Sequence, residues 1–363
     1  MRRAASADWP RLLTPAQGCY PLAVTPRNDE RVLHIALRDN FEPQPALERA
    51  LRSIASRYVQ VDWQAEERRG HLFDALMDAA KALRPTLVFA QVQRANAIPG
   101  PLMAKVRDYC DPSCVVTSWD GDMHHTPTDK GREWFIELGR ECDCNLTVET
   151  GYQAQYAEMG VRHPGYLQIG IEERWYKPSQ PTPGVPPVVL LAGNYPSLAN
   201  QPGGYATRLE IAKRCQDAYG PTGFGIYGSG WSGWPCARPF VRQPEEAGIY
   251  AAAAAALSLS IRHDLPRYTS DRLFRMLASG AVCLVKRFPD CEGLGLIDGR
   301  NCYVWSDWAE LHGLLTGILS GDFACTNPND LRVGALELSH DHTWDARMPE
   351  LMACVYAVRE ARK

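Results

Sequence analysis

The sequence lacks the features that mark zinc proteins, secreted proteins and membrane proteins. None of its 12 cysteines forms a CxxC pair, whereas a structural zinc site usually needs two close pairs of Cys or His ligands. The longest apolar run, residues 251–261, reaches about half the length of a membrane span and ends at Arg262. The opening segment MRRAASADWPRLL has no apolar stretch behind its charges, unlike a secretory signal. We therefore expect a soluble, cytoplasmic protein with reduced thiols, no membrane span and no bound metal.

The sequence also has no excess of positive charge. It contains 39 Lys and Arg against 42 Asp and Glu, which gives a formal net charge of −3. Nucleic-acid-binding proteins usually carry a basic excess, so the overall charge argues against that class, although a local basic patch is compatible with it. The 45% hydrophobic content is typical of a globular protein, and 363 residues are enough for two α/β domains.

Short apolar runs alternate with amphipathic segments along almost the whole chain. Such alternation predicts parallel sheets that are covered by helices on both faces. In the first half the strand-like runs are VLHIAL, TLVFAQ, CVVTSW and NLTVE, and helical spacing predicts helices between them, including one over 46–58. In the second half the strand-like runs are VVLLAG, GFGIYG, LSLSI and AVCLVK.

A proline-rich segment divides the chain almost in half. The stretch KPSQPTPGVPP, residues 177–187, contains five prolines, which cannot continue a helix or a central strand. The predicted fold class is therefore α/β, with two Rossmann-like domains that face a cleft. We expect an N-terminal domain over 1–176, a C-terminal domain over 188–340, and a last helix over 341–363 that crosses back to the N-terminal domain. Ligands are expected at the carboxyl ends of the strands.

Two strand-to-helix loops of the second half suit a ligand that carries phosphate. In LLAGNYPSLANQPGGYATR, glycines let the backbone approach a ligand, and the first N–H groups of the next helix can hold phosphate. Its spacing matches neither GxGxxG nor GxxxxGK[ST], so neither NAD nor ATP is indicated. In RHDLPRYTSDRLFRMLASGA, Ser270 is a natural N-cap, and Arg267 and Arg272 flank the helix start. These groups would suit a diphosphate, while a plain loop and an ordinary capped helix are the alternatives.

The segment SWDGDMHH in the first half carries acidic side chains directly after a strand. A carboxylate of Asp120 or Asp122 could accept the proton of an attacking hydroxyl. Two other interpretations are open: the aspartates and His124 could bind a metal, although no further ligand follows at a recognisable spacing, or the segment is an Asp-Gly turn. Because alternate residues can point in different directions, we expect at most one aspartate to be the base, with Asp122 as the first choice.

Several of these segments resemble glycosyltransferases of the GT-B fold, in particular the glycosyltransferase group 1 branch that includes the CgeB-like proteins. The similar segments run in family order from about residue 85 to about residue 350: YLQIGIEERWYKP, LLAGNY, IYGSGW, YTSDRLFRMLASGA and HTWDAR. SWDGDMH is also similar to a Trp-x-Gly-Asp loop of relatives, some of them phage-encoded. The resemblance implies a hexosyltransferase that uses a nucleotide-diphosphate sugar, with a UDP-sugar favoured, and needs neither a metal nor another cofactor.

The resemblance and the loop positions together assign roles to individual residues. The nucleotide sugar would bind the C-terminal domain through the donor set: Gly193, Asn194, Arg208, Tyr227, Gly228, Tyr268, Thr269, Ser270 and Arg272. The acceptor would bind the N-terminal domain through the acceptor set: Asn40, Phe41, Trp119 and His124. The family usually has Phe-Glu where this chain has Phe274–Arg275, and that Glu holds the donor ribose. Arginines would stabilise the departing diphosphate, and Asp122 would be the base if the reaction inverts the anomeric carbon.

Three other functions are compatible with the sequence. A phage-type DNA glycosyltransferase that acts on hydroxymethylpyrimidine would hold a flipped nucleotide with Trp119, Phe41, Trp63 and arginines, and modified DNA would be its partner. A GT-B sugar-binding protein without activity would keep the fold, and Arg275 favours that alternative. An NDP-sugar epimerase would share the two-domain shape. The sequence identifies neither the acceptor nor the stereochemical course.

Overall fold

The structure is a computed structural model that describes residues 29–37, 44–91, 98–122, 126–129, 131–192, 204–322 and 327–363. Five residues of the predicted donor and acceptor sets, Asn40, Phe41, His124, Gly193 and Asn194, lie outside these ranges. Their roles therefore stay predictions.

The first half of the chain forms a six-stranded sheet in the order β2-β1-β3-β4-β5-β6. Every neighbouring pair is parallel. The strands are β1 Glu30–Ala36, β2 Ala55–Asp62, β3 Leu87–Gln91, β4 Val115–Asp120, β5 Cys144–Thr147 and β6 Pro164–Tyr166. The helices are α1 Pro45–Ser53, α2 Trp63–Arg69, α3 Leu72–Leu83, α4 Gly100–Arg107, α5 Glu133–Glu141 and α6 Gln153–Glu158.

The second half forms another six-stranded parallel sheet, in the order β12-β11-β10-β7-β8-β9. The strands are β7 Val188–Leu191, β8 Phe224–Tyr227, β9 Ala237–Arg238, β10 Ala255–Ser258, β11 Cys283–Lys286 and β12 Tyr303–Trp305. The helices are α7 Gly204–Gly223, α8 Gln243–Ala252, α9 Asp271–Ala278, α10 Trp308–Ser320, α11 Pro328–Ser339 and α12 Trp344–Ala361. Two parallel sheets with intervening helices confirm the predicted α/β class with two Rossmann-like units.

The predicted helix over 46–58 is wrong in its second half. Helix α1 ends at Ser53, and strand β2 begins at Ala55. As an edge strand, β2 has mostly half-buried or exposed side chains, so it lacks the continuous apolar run of a central strand; its β-branched Val59 and Val61 still favour a strand. The alanine run 251–256 is divided in a similar way, because α8 ends at Ala252 and β10 begins three residues later.

The last helix, α12, packs against the N-terminal sheet. Arg359 Nη1 lies 2.6 Å from Oε1 of Glu30 on β1, and Arg362 Nη2 lies 2.5 Å from Oδ1 of Asp143. The apolar side of α12, which includes Leu351, joins a core cluster with residues of α1, β1, β3, β4 and β5. The chain therefore returns from the second sheet to the first.

Two further features of the described residues are the length of their apolar helices and the state of their cysteines. No helix in the described ranges is long and apolar enough to cross a membrane. The cysteines in these ranges are free thiols, and all of them except Cys110 are buried.

Candidate active site

The loops at the carboxyl ends of the two sheets contact each other. Thr150, after β5, donates a backbone hydrogen bond to the carbonyl of Pro266 at 3.1 Å. Arg262, after β10, donates from Nη2 to the hydroxyl of Tyr152 at 2.7 Å. The segment between β10 and α9 therefore lies against the N-terminal domain, at the edges where ligands of parallel α/β sheets bind.

Ser260 organises the segment between β10 and α9. Its Oγ accepts a hydrogen bond from the Ser270 N–H at 3.0 Å and lies 3.3 Å from Oγ1 of Thr269. Ser270 caps α9, and its Oγ accepts the N–H of Arg272 at 3.3 Å. These contacts hold the start of α9, where the helix dipole favours an anion.

The two arginines that flank this helix start differ in their contacts. Arg267 Nε lies 2.5 Å from Oδ2 of Asp290, and most of its side chain is buried. Arg272 is half-buried, and within the described ranges no residue accepts a hydrogen bond from its guanidinium. Arg272 therefore keeps donors that a phosphate group can use.

Three other residues of the donor set lie at the central strands of the second sheet. Arg208 on α7 is buried and donates from Nη2 to the carbonyl of Leu259 at 2.9 Å. Tyr227 is the last residue of β8 and is also buried. Gly228 follows with a φ of 151°, and a Cβ at this position would lie 1.7 Å from the carbonyl oxygen of Ala192. A glycine is therefore required where the ends of β7 and β8 approach each other.

Tyr268 and Thr269 are engaged in packing. Tyr268 is buried in the core cluster that also contains Trp344 of α12. Thr269 is buried as well, and its hydroxyl is directed at Ser260. This arrangement does not favour direct contacts of these side chains with a nucleotide sugar, and it gives them the role of fixing the start of α9.

Asp120 is held in a buried ion pair. Its side chain is 1% exposed, and it contacts Nη1 of Arg132, which is 2% exposed. Arg132 Nε also donates to the hydroxyl of Tyr156 at 2.9 Å. Burial raises the pKa of Asp120 above its usual value, and the charge of Arg132 opposes that rise. Because its carboxylate is enclosed and paired, Asp120 is not available to an acceptor hydroxyl.

Asp122 lies two residues beyond this pair and has a different environment. It is half-buried, and its backbone N–H donates to Oδ1 of Asp120 at 3.0 Å. The buried ion pair with Arg132 therefore positions the backbone of Asp122. Of the two predicted carboxylates, Asp122 is the one whose side chain is partly accessible.

Trp119 is a core residue in this structure, contrary to its predicted contact with an acceptor. It is 1% exposed, its Nε1 donates to the carbonyl of Leu167 at 2.9 Å, and its ring packs edge-on against Trp344. Trp63 is also buried, and its Nε1 donates to the carbonyl of Gln91 at 3.0 Å. Neither tryptophan offers an open face on which a flipped base could stack.

Arg275 is enclosed by acidic partners. Its guanidinium contacts Asp271 one turn earlier on α9 and lies 3.2 Å from Oε2 of Glu246 on α8. Glu246 also accepts a hydrogen bond from the hydroxyl of Tyr176 at 2.9 Å. Burial is the largest single influence on the pKa of Arg275 and lowers it. The neighbouring carboxylates together outweigh burial, so the pKa lies above its usual value. The cation in place of the family Glu therefore links α8 to α9.

Sequence reasoning missed several residues that organise this region. Arg132 lies in an unremarked segment 12 residues beyond Asp120, and no local pattern joins the two. Glu149 is buried, which raises its pKa, and it accepts the backbone N–H of Tyr152 at 2.9 Å. Ser260 could have been suspected only because it lies near the end of the strand-like run LSLSI, ten residues before the Ser270 cap.

The described residues contain no group of three or more His, Cys, Asp and Glu side chains that could hold a metal ion.

The comparisons with known proteins give one family match in the second half of the chain and several structural matches over nearly the whole chain. Residues 209–353 match the family model described as Glycosyl transferase-like. Alr3699/HepE of Anabaena, solved in complex with UDP-glucose, is 12% identical with a TM-score of 0.59, and the match covers 90% of this chain and 100% of that one. Sucrose-phosphate synthase of Thermosynechococcus elongatus is 12% identical with a TM-score of 0.52, covering 92% and 89%. A glycosyltransferase from Rickettsia africae is 8% identical with a TM-score of 0.56, covering 92% and 99%.

A comparison with curated protein sequences gave no match. The matches above do not separate the CgeB-like branch or phage-encoded relatives from other glycosyltransferases. The two parallel sheets and the structural matches over nine-tenths of the chain show the two-domain GT-B fold, and the match over 209–353 shows that the second half of this chain resembles the Glycosyl transferase-like family.

Proposed function

We propose that this protein transfers a sugar from a UDP-sugar to an acceptor hydroxyl without the help of a metal ion. The observation that carries the proposal is the start of α9, where the Ser270 cap, the amino end of the helix and the available guanidinium of Arg272 come together. Such a group of donors suits a diphosphate. The complex of Alr3699/HepE with UDP-glucose, which shares this fold, supports UDP as the nucleotide.

The reaction would place negative charge at this helix start. The bond between the anomeric carbon and the phosphate oxygen breaks, and its electron pair stays on the diphosphate. Arg272 and the N–H groups of α9 would stabilise that charge, which is the main task of a site without a metal. The acceptor oxygen then bonds to the anomeric carbon and gives up its proton.

Asp122 is the proposed base for an inverting reaction. Its side chain is partly accessible at the end of β4, while Asp120 is enclosed by Arg132. A half-buried carboxylate whose backbone is anchored by a buried ion pair is well placed to accept a proton in a defined direction.

The donor assignment can be tested by calorimetric titration with UDP, UDP-glucose, NAD and ATP. We expect UDP and UDP-glucose to bind and Arg272→Ala to weaken UDP binding by about 1.5–3 kcal/mol, the usual worth of a charge-assisted hydrogen bond. Arg300→Ala is the matched control, because Arg300 is exposed and precedes the amino end of β12. Tighter binding of NAD than of UDP, or equal effects of the two substitutions, would contradict the assignment.

The role of metal can be tested by measuring how fast the wild-type protein releases UDP from UDP-glucose. We expect this activity to survive excess EDTA. Complete loss in EDTA, restored by manganese or magnesium, would show that a metal takes part.

The base is tested by Asp122→Asn in the same assay. A positioned base contributes roughly 10²–10⁴-fold, so turnover should fall by that order while UDP affinity stays unchanged. The configuration of the product, read by NMR, provides the second measurement. A product that keeps the anomeric configuration of the donor would remove the need for a base and refute this role of Asp122.

A further inference from the structure

His263 lies between β10 and α9 and has no part in the mechanism above. Its Nε2 accepts the backbone N–H of Ser260 at 3.1 Å, so the proton of the neutral imidazole is on Nδ1. Among the described residues none accepts a hydrogen bond from Nδ1. The half-buried ring therefore has one nitrogen fixed by the backbone and one donor that a ligand can use.

The contact with Ser260 connects His263 to the donor site. The same Ser260 accepts the N–H of Ser270 through its hydroxyl at 3.0 Å. The preceding residue, Leu259, accepts Nη2 of Arg208 through its carbonyl at 2.9 Å. Two consecutive positions after β10 thus hold the imidazole, the guanidinium of Arg208 and the start of α9 together.

Two positive charges act on the imidazole. Burial, followed by the charges of Lys286 at the end of β11 and of Arg208, lowers the pKa of His263 to about 4, so the ring is neutral at pH 7. The neighbouring carboxylate of Asp264 is already paired with Arg262 at 2.6 Å. An anion that accepts the Nδ1–H of His263 would therefore lie near two positive charges, and both would favour its binding.

We infer that His263 donates its Nδ1–H to a phosphate oxygen of the bound nucleoside diphosphate, with Arg208 and Lys286 as the adjacent positive charges. This inference rests on the proposed function. When the bond between sugar and diphosphate breaks, the electron pair stays on the phosphate oxygen that these groups surround. His263 keeps its proton throughout, because it acts as a hydrogen-bond donor and not as an acid, and the proton of the acceptor goes to the base.

Substitutions of His263 distinguish the effect of its Nδ1–H hydrogen bond from the effect of the shape of its ring. His263→Phe keeps a planar ring but removes both nitrogens, so we expect kcat for UDP release to fall by about 10²-fold, as for other donors to a developing oxyanion, with weaker UDP binding. His263→Asn places an amide donor near the position of Nδ1 and should restore most of the activity. His340→Asn, at an exposed position, is the matched control and should behave as the wild type.

A second measurement does not depend on the folding of any variant. In wild-type protein labelled with ¹⁵N-histidine, the Nδ1–H resonance of His263 should shift when UDP is added. If the wild type binds UDP while this resonance does not move, or if His263→Phe matches the wild type in UDP affinity and kcat, the inference is overturned and the proposed function stands. If the wild type binds no nucleoside diphosphate, the proposed function itself fails.

Discussion

Replacing Arg132 by methionine tests whether a buried ion pair supports the proposed base. Arg132 and Asp120 are 2% and 1% exposed, so methionine would fill much of the space but leave the carboxylate of Asp120 enclosed without its counter-charge. Breaking one side of a buried pair usually costs about 3–5 kcal/mol of unfolding free energy. The hydroxyl of Tyr156 would lose its donor as well.

The pH dependence of this loss has a definite sign. Without Arg132, the Asp120 pKa in the folded state should rise further above the value of about 3.9 in the unfolded chain. A raised folded pKa means that stability is retained at low pH and lost as the pH rises through the interval between the two values. The deficit of Arg132→Met relative to the wild type should therefore be larger at pH 7 than at pH 5.

Urea unfolding at both pH values measures the effect. Arg69→Met is the matched control, because Arg69 pairs with Glu66 on the surface, where its side chain is 64% exposed, and such pairs contribute about 0–1 kcal/mol. The double variant Asp120→Asn with Arg132→Met removes both charges and should recover most of the loss. Because Asp120 accepts the N–H of Asp122, UDP release should also slow in Arg132→Met under conditions where it is fully folded. A loss no larger than that of Arg69→Met would refute the reasoning.

Two further predictions concern Gly228 and His342. Gly228→Ala should lower the unfolding free energy by about 1–3 kcal/mol and weaken UDP binding, because its Cβ would lie 1.7 Å from the carbonyl oxygen of Ala192. Gly233→Ala is the control and should cost less, because Gly233 has a φ of 96° but no atom within 4 Å of the added Cβ. Equal losses in thermal unfolding would show that the close approach is not the cause. Burial and the charge of Arg347 lower the pKa of His342 to about 3, below the value of about 6.5 in the unfolded chain, so stability should fall as the pH drops from about 6.5, by up to about 1.4 kcal/mol per pH unit. Urea unfolding at pH 7 and pH 5 should show a smaller change for His342→Asn than for the wild type, and equal changes would count against this origin.

The local features of the sequence were sufficient to predict the class of the fold and the N-cap of helix α9 at the candidate site. Buried strands such as β3 and β4 have every side chain enclosed, so their apolar runs are continuous and stand out. Ser270 caps α9 as its position before the helix predicted, because an N-cap depends on contacts over two or three residues. Features of this kind depend on neighbours along the chain.

The tertiary structure decided which of the predicted side chains are available. From sequence, Trp119 is an aromatic residue beside a candidate site, but the return of α12 places Trp344 against it and makes it part of the core. Asp120 and Asp122 follow one strand, and only the approach of Arg132 distinguishes a structural carboxylate from an accessible one. The edge strand β2 was also missed from sequence, because its mostly half-buried or exposed side chains do not form the apolar run that marks a buried strand.

The contacts that assemble the candidate site join residues far apart in sequence. Arg208 reaches the carbonyl of Leu259 across 51 positions, and Arg262 reaches the hydroxyl of Tyr152 across 110. Periodicity and capping arise from interactions within one or two turns or along one strand, so the sequence alone determined most of the buried elements and their order, but not the edge strand β2. Pairings across domains depend on how the sheets and α12 pack, a property of the whole chain with no local signature, and only the folded structure determined them.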